Sequence, residues 1–456
     1  MKLRTLTIAG ISGLFVYGGS AQGGMIGYDA EYRADYTDNA FQSQSNENKV
    51  DELTHNYRLS FFGNLTGSRS KSDFIATMEY RDYQDDTSSD KALSSFLGSS
   101  EIALTSRTLS WYVADALGYF DSDPNLRFNT RDQERVNYFV TGPKVLYSIA
   151  ADKDVGGKLF YTNHNRDGRD LDYDKLNLDM FWDQYLNIRD NWGVSLEHTL
   201  MLYPDEADRG DYTITDLNTY FTRKTQANIY SFTVGVSYLQ TEDEKDDTSA
   251  NFDVSLDHLF TRRTGLLLEA GYNLSDESVL QDTQLTQTGQ FEATDESGLF
   301  YESRLGAKYY YKGVRSDFDF GGEARELEYV DGPQQSALLQ NDHYTYSLYT
   351  NYKRFVGRSL DVGIGLEAGH KDYIDSEFED TLYTTTLTMD YVMSRSLDLE
   401  TKVEYFQGEG NLPSADGSTG DRSYDEYLIS VGLHWDPYKS RRSRNEIDAF
   451  DLSVIN

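Results

Sequence analysis

Chemistry in this 456-residue chain would have to come chiefly from carboxylates, because it holds 76 Asp and Glu, 7 His and no Cys. Lack of Cys excludes a thiolate nucleophile, a thiolate metal centre, disulfides and a lipid-bearing cysteine. His164, His198, His258 and His343 are scattered, with no pair at metal-ligand spacing, and no Ser–His constellation accompanies them. Carboxylate pairs recur throughout so acidic a chain, so none singles out a glycosidase-like centre. Acids alternate from Asp170 to Asp174 in the stretch that begins at Asp167, as in a calcium loop, but the EF-hand spacing is missing and a solvated loop is the plainer expectation. The reading is therefore of a non-enzyme with no cofactor and no metal site. A formal charge of -34 also argues against nucleic acid as a partner, since phosphate neutralisation needs a basic surface.

What positions these charges is a period of two. Ile26, Tyr28, Ala30, Tyr32, Ala34 and Tyr36 alternate with Gly27, Asp29, Glu31, Arg33 and Asp35, which puts an apolar stripe on one strand face and charge on the other. Tyr230 to Tyr238, Val362 to Ala368, Leu397 to Tyr405 and Tyr427 to Trp435 repeat the pattern. Such runs have the length of a tilted strand crossing a bilayer. Ahead of them, Lys2 and Arg4 precede an apolar stretch from Leu6 to Tyr17 and then the small residues Gly18 to Ala21. That is the pattern of a secretory signal cleaved after Ala21.

Connections between the runs alternate in kind. Short ones carry a basic residue, at Arg69, Arg107, Arg223, Arg262, Arg315, Arg358 and Arg395, with weaker members at Lys153 and Arg189; neighbours in this series lie 34 to 53 residues apart. Between them lie longer acidic or polar stretches. Short turns on one side and long loops on the other is the asymmetry of an outer-membrane barrel. Closure also satisfies every backbone group in lipid and removes open sheet edges. The expected fold is an all-β, transmembrane antiparallel up-and-down β-barrel of about 20 strands, or 18 if the two weak turns fail. Residues 1–21 would be the signal, 22–436 the barrel in a Gram-negative outer membrane, and 437–456 a basic periplasmic tail.

With the apolar stripes in lipid and beside lipopolysaccharide, the alternate residues line a wet lumen. Those that could mark a substrate path are Arg58, Glu79, Arg81, Glu302, Arg304, Lys308, Glu400, Lys402 and Glu404; the plainer expectation is that such charges pair across neighbouring strands. A barrel this wide encloses an aqueous passage or a plugged lumen, and no spare domain is available as a plug, so occlusion would fall to loops. Ser430, Gly432 and Trp435 partly match the terminal-strand pattern read by the barrel assembly machinery. Beyond Pro437, the residues Lys439, Arg441, Arg442 and Arg444 are candidates for docking a periplasmic partner, against the plainer reading of a solvated extension.

The stretches Trp111 to Leu117, Asp123 to Thr130 and Val140 to Pro143, with Tyr36-Thr37-Asp38-Asn39 at the end of the first strand, resemble the exopolysaccharide-associated outer-membrane porin family. The layout agrees over the whole mature chain, while the basic tail departs from it. The resemblance implies a conduit for an exopolysaccharide of capsule or biofilm, acting with a periplasmic polysaccharide export protein. The competing expectation is a general or sugar-selective diffusion porin.

Overall fold

Alternation of apolar and polar residues builds twenty long strands in the computed structural model, which describes residues 23–40, 49–85, 88–105, 108–121, 133–166, 172–203, 210–241, 246–276, 290–291, 299–330, 342–374, 379–410 and 423–438. In chain order they are β1 (Gly23–Thr37), β2 (Glu52–Thr66), β3 (Ser70–Tyr83), β4 (Lys91–Ala103), β5 (Leu109–Asp121), β6 (Gln133–Ala150) and β7 (Lys153–Arg166). Next come β8 (Tyr173–Tyr185), β9 (Asp190–Leu202), β10 (Tyr212–Lys224), β11 (Asn228–Thr241), β12 (Asp246–Leu259), β13 (Thr264–Asp276) and the two-residue β14 (Gln290–Phe291). The chain continues with β15 (Leu299–Lys312), β16 (Ser316–Tyr329), β17 (His343–Val356), β18 (Leu360–Tyr373), β19 (Glu379–Val392), β20 (Leu397–Gly410) and β21 (Tyr424–Trp435). Among the described residues there is no helix.

Every long strand pairs antiparallel with its neighbours, and β1 pairs with β21 from Ala30↔Trp435 to Thr37↔Leu428, which closes the sheet. The seam is also stitched by side chains: the Thr37 hydroxyl donates to Glu426 (2.8 Å), and Lys49 meets Asp425 at 2.8 Å. The count is twenty rather than eighteen because both weak turns are real hairpins. Ala150 pairs with Lys153 around a two-residue turn, and the Asn187 side chain accepts from the Arg189 and Asp190 amides at 2.8 and 3.2 Å. The proposed calcium stretch at 167–174 falls mostly outside the described residues, as do residues 1–21 and the tail cations Lys439, Arg441, Arg442 and Arg444.

The faces sort as the alternation predicts. Phe232, Val234, Val236 and Tyr238 on β11 are exposed on the outer wall, where lipid would lie, while Thr233, Gly235 and Ser237 between them point inward. Substituting Val234 by arginine is expected to cost about 2–4 kcal/mol in a folding titration in lipid. The same change at Thr233 should leave the barrel folded, and equal costs would mean that the register is wrong.

The lumen is not uniformly polar. Leu97, Tyr112, Ala114, Ala116, Val136, Tyr138, Val140 and Phe160 form a buried apolar wall on β4 to β7, opposite in parity to the exposed Trp111. The expected wet channel is thus wet on only part of its circumference.

β14 is not part of the ring. It pairs in parallel with β5, Gln290↔Tyr119 and Phe291↔Phe120, at an edge that β5 leaves open because its pairing with β4 stops at Leu117↔Phe96. β13 and β5 are eight strands apart around the ring. Twenty strands at 4.8 Å spacing and a tilt of 35–45° make a round barrel roughly 40 Å across, so the two stand nearly opposite each other. β14 is thus paired with a strand on the far side of the ring from the two strands that flank it in the sequence.

Candidate functional site

All nine lumenal residues singled out in the sequence face inward, and the barrel sorts them onto two walls that do not meet. On the seam wall, Glu31, Arg58 and Glu79 sit directly opposite one another on β1, β2 and β3. Arg58 donates to Glu31 at 2.9 Å and to Glu79 at 3.0 and 3.1 Å, and Arg81 pairs with the other Glu79 oxygen at 2.5 Å. The arginine fork thus spans two strands, with alternating sign along one row. On β20, Lys402 pairs with Glu404 at 2.7 Å, and Glu404 also accepts from the Thr386 hydroxyl at 3.3 Å.

The second wall runs over β12 to β17. Arg304 donates to Asp253 at 2.8 Å, Arg325 to Glu302 at 2.6 Å, and the Lys308 ammonium stands 5.8 Å from the Tyr349 ring centre. These geometries share a device. Arg304, Gly271 and Asp253 lie in one cross-strand row, as do Lys308, Gly321 and Tyr349. Tyr220, Gly193 and Asp183 do the same, with the Tyr220 hydroxyl donating to Asp183 at 2.6 Å. In each row an inward-facing glycine leaves a gap and a long side chain lies across it to reach the next strand but one. The cross-strand pairing expected of barrel charges therefore holds, extended over glycines.

Not every inward glycine is spanned in this way, and the row at Gly432 is one that is not. Arg33, Gly432 and Glu400 are aligned on β1, β21 and β20, yet Arg33 turns aside to Asp35 (2.9 Å) and Glu31 (4.0 Å). The gap stays open as a cavity of about 380 Å³. Its lining includes Arg81, Glu400, Lys402 and Glu404 from the sequence expectation, and Glu31, Arg33, Asp35, Thr54, Asn56 and Asp390, which the sequence did not single out. Arg58 and Glu79 stand one row away, whereas Glu302, Arg304 and Lys308 belong to the other wall. The missed residues were visible as the polar half of an alternating strand. What could not be read was that closure brings β1 beside β21, some four hundred residues later.

No family model matches the chain, and no curated protein matches it either. Solved structures do share the fold. A mutant of the ferric enterobactin receptor from Pseudomonas aeruginosa is 9% identical, with a TM-score of 0.50 over 91% of this chain and 81% of that one. The FrpB iron transporter from Neisseria meningitidis is likewise 9% identical, with a TM-score of 0.49 over 90% of this chain and 81% of its own. The siderophore receptor PiuA from Acinetobacter baumannii is 8% identical, with a TM-score of 0.45 over 89% and 82%.

These findings correct the expected kinship. The resemblance to exopolysaccharide-associated porins rested on a few short motifs. The barrel matched at a TM-score of 0.50 is a ferric enterobactin receptor, neither a polysaccharide-export barrel nor a diffusion porin. The polysaccharide cargo, the periplasmic export protein as partner and the diffusion-porin alternative are set aside with it. The physical reason is that Trp111 to Leu117 and Val140 to Pro143 lie inside β5 and β6 and encode strand, which any large barrel needs. What stands is a closed twenty-stranded barrel of the Gram-negative outer-membrane type, and the proteins it resembles in fold are transporters and receptors.

Proposed function

We propose that this protein is a selective outer-membrane transporter, a barrel closed at rest that recognises a particular polar solute on its lumenal wall. The observation that carries the reading is β14, which pairs with β5 although β13, the strand before it in the chain, stands eight strands away around the ring. A passage open to every small solute has no use for such a pairing. The fixed ion pairs of the seam wall support the same reading, because charges already held by partners present a surface of set shape. Residues 1–21 direct export and are removed, so the mature chain starts at Gln22, and residues 437–456 extend into the periplasm.

Proteoliposomes loaded with the purified barrel should resist swelling in arabinose and in glycine. Swelling that ranks neutral solutes simply by size would overturn the proposal, and the mass of the protein from outer membranes checks the start at Gln22.

A further inference from the structure

The open cavity at Gly432 has an unusual demand for hydrogen-bond donors. Asp35, Thr54 and Asn56 line it and are 6, 3 and 5% exposed. Asp35 Oδ1, Thr54 Oγ1 and Asn56 Oδ1 are each buried without a hydrogen-bond partner. Asp35 and Thr54 are direct cross-strand partners, and Asn56 is two residues along β2. The orientation of the Asn56 amide is fixed, because its nitrogen donates to Asp35 Oδ2 at 2.5 Å, which turns its carbonyl oxygen away from that bond. Arg33 spends its Nε on the same Asp35 oxygen. Two acceptors and a hydroxyl are thus left unsatisfied, at a cost of about 1–3 kcal/mol for each acceptor unless a ligand or water meets it.

The charge around the cavity points the same way. Glu31, Asp35, Asp390, Glu400 and Glu404 line it against Arg33, Arg81 and Lys402. All three cations are held by carboxylates: Arg33 by Asp35, Arg81 by Glu79 and Lys402 by Glu404. Glu400 stands directly opposite Asp390, a like-charge pair across strands, and has no salt-bridge partner among the described residues. Lys353 already answers Asp390 at 3.2 Å, which leaves Glu400 as the carboxylate of this wall that a bound cation would pair. Metal coordination does not suit the cavity, since no group of three His, Cys, Asp or Glu that could hold a metal ion occurs among the described residues.

Gly432 itself is not required by crowding. A Cβ there would meet its nearest neighbour, the Tyr32 carbonyl oxygen, at 3.7 Å. The three glycine rows of the other walls are spanned by a neighbour's side chain, whereas a Cβ at Gly432, as at Gly306 and Gly369, would meet nothing closer than 3.7 Å.

We propose that the cavity binds a linear polyamine, one ammonium donating to Asp35 and Asn56 and another pairing with Glu400. On a sheet with 4.8 Å between strands and 3.4 Å per residue, Asp35 and Glu400 are about 12 Å apart, the reach of an extended triamine such as spermidine rather than of a single ammonium. The inference rests on the reading as a selective transporter, whose solute class it names, but its test does not depend on transport.

Spermidine binding to the detergent-solubilised barrel is measured by calorimetry at physiological ionic strength, with glycerol and calcium as comparisons. Spermidine should bind with one-site stoichiometry, glycerol should not bind, and calcium should not displace it. Gly432→Val fills the gap without changing charge and Glu400→Gln removes one charge, and each should weaken spermidine binding at least tenfold. Both variants must retain the heat-modifiable gel shift of a folded barrel. Equal binding by wild type and both variants would show only diffuse attraction to an acidic protein and would sink the proposal, as would displacement by calcium or no binding at all. A barrel that binds spermidine but swells freely in arabinose refutes the transporter reading alone. One that stays closed to arabinose and ignores spermidine refutes the polyamine alone.

Discussion

Replacing Arg58 by alanine should lower the stability of the barrel by about 3–5 kcal/mol, the range found when one partner of a buried ion pair is removed. The reason lies in what the arginine leaves behind. Its side chain is 12% exposed and bridges Glu31 and Glu79, whose side chains are 19 and 7% exposed. Without it, two carboxylates face each other across β2 in a sparsely hydrated wall, and only Arg81 remains on Glu79. Lys71→Ala is the matched control. Lys71 also sits near a carboxylate, Asp73 at 3.7 Å, but its side chain is 69% exposed, so water screens the pair and its loss should cost about 0–1 kcal/mol. Urea titration of the heat-modifiable folded band compares the two. Glu79→Gln in the Arg58→Ala background should recover part of the loss, since it removes one uncompensated charge. Equal losses from Arg58→Ala and Lys71→Ala would show that the row Glu31, Arg58, Glu79 is not a buried unit.

That row also shows how far the sequence reaches. Alternation told which residues of β2, β3 and β20 face inward, because Tyr57, Leu59 and Phe61 cannot share a side with Asn56, Arg58 and Ser60 in a membrane wall. Turn chemistry gave the connectivity, down to the weak hairpins at Lys153 and Arg189. Register was harder. That Glu31 meets Arg58 follows from β1 and β2 being neighbours, but the alignment of Arg33, Gly432 and Glu400 needs closure, which joins strands with no sequence proximity.

Faces were least legible where both sides are apolar. In Trp111-Tyr112-Val113-Ala114-Asp115-Ala116-Leu117 the one charge shares its parity with Trp111, Val113 and Leu117. Polarity would turn that side inward, yet Trp111 is exposed outside and Tyr112, Ala114 and Ala116 are buried within. The apolar lumenal wall on β4 to β7 therefore could not be read from alternation. Nor could β14, whose parallel pairing with a strand eight positions away is a tertiary contact with no local signal in Gln290-Phe291.

Excising residues 277–298 should open the barrel. The excision is geometrically clean, because Asp276 and Leu299 are already register partners at the ends of β13 and β15, so an Asn-Gly pair can close the hairpin as a type I′ turn without disturbing either strand. It removes β14 with the residues on either side of it, and leaves all twenty ring strands and the seam wall in place. Seven residues lie between Phe291 and Leu299, and eight Cα steps set an upper reach of about 29 Å. A round barrel would hold β5 and β15 farther apart, roughly 40 Å. Excision removes the pairing that ties the β13–β15 connection to β5 and should relieve the restriction it imposes. In planar bilayers the intact protein should conduct rarely and weakly. The excised variant should hold a steady conductance larger on the order of tenfold or more, as expected when a lumen of this strand number is cleared. The folded gel shift should survive, since no ring hydrogen bond is lost. A variant that folds and conducts no better than the intact protein would place the closure elsewhere, in the apolar wall of β4 to β7 or in another loop. Substituting Gln290 and Phe291 by proline and glycine tests the pairing alone: proline removes an amide hydrogen that the short parallel ladder could use, so this pair should give an intermediate, flickering conductance. Together the two variants separate the loss of residues 277–298 from the loss of β14 pairing on β5.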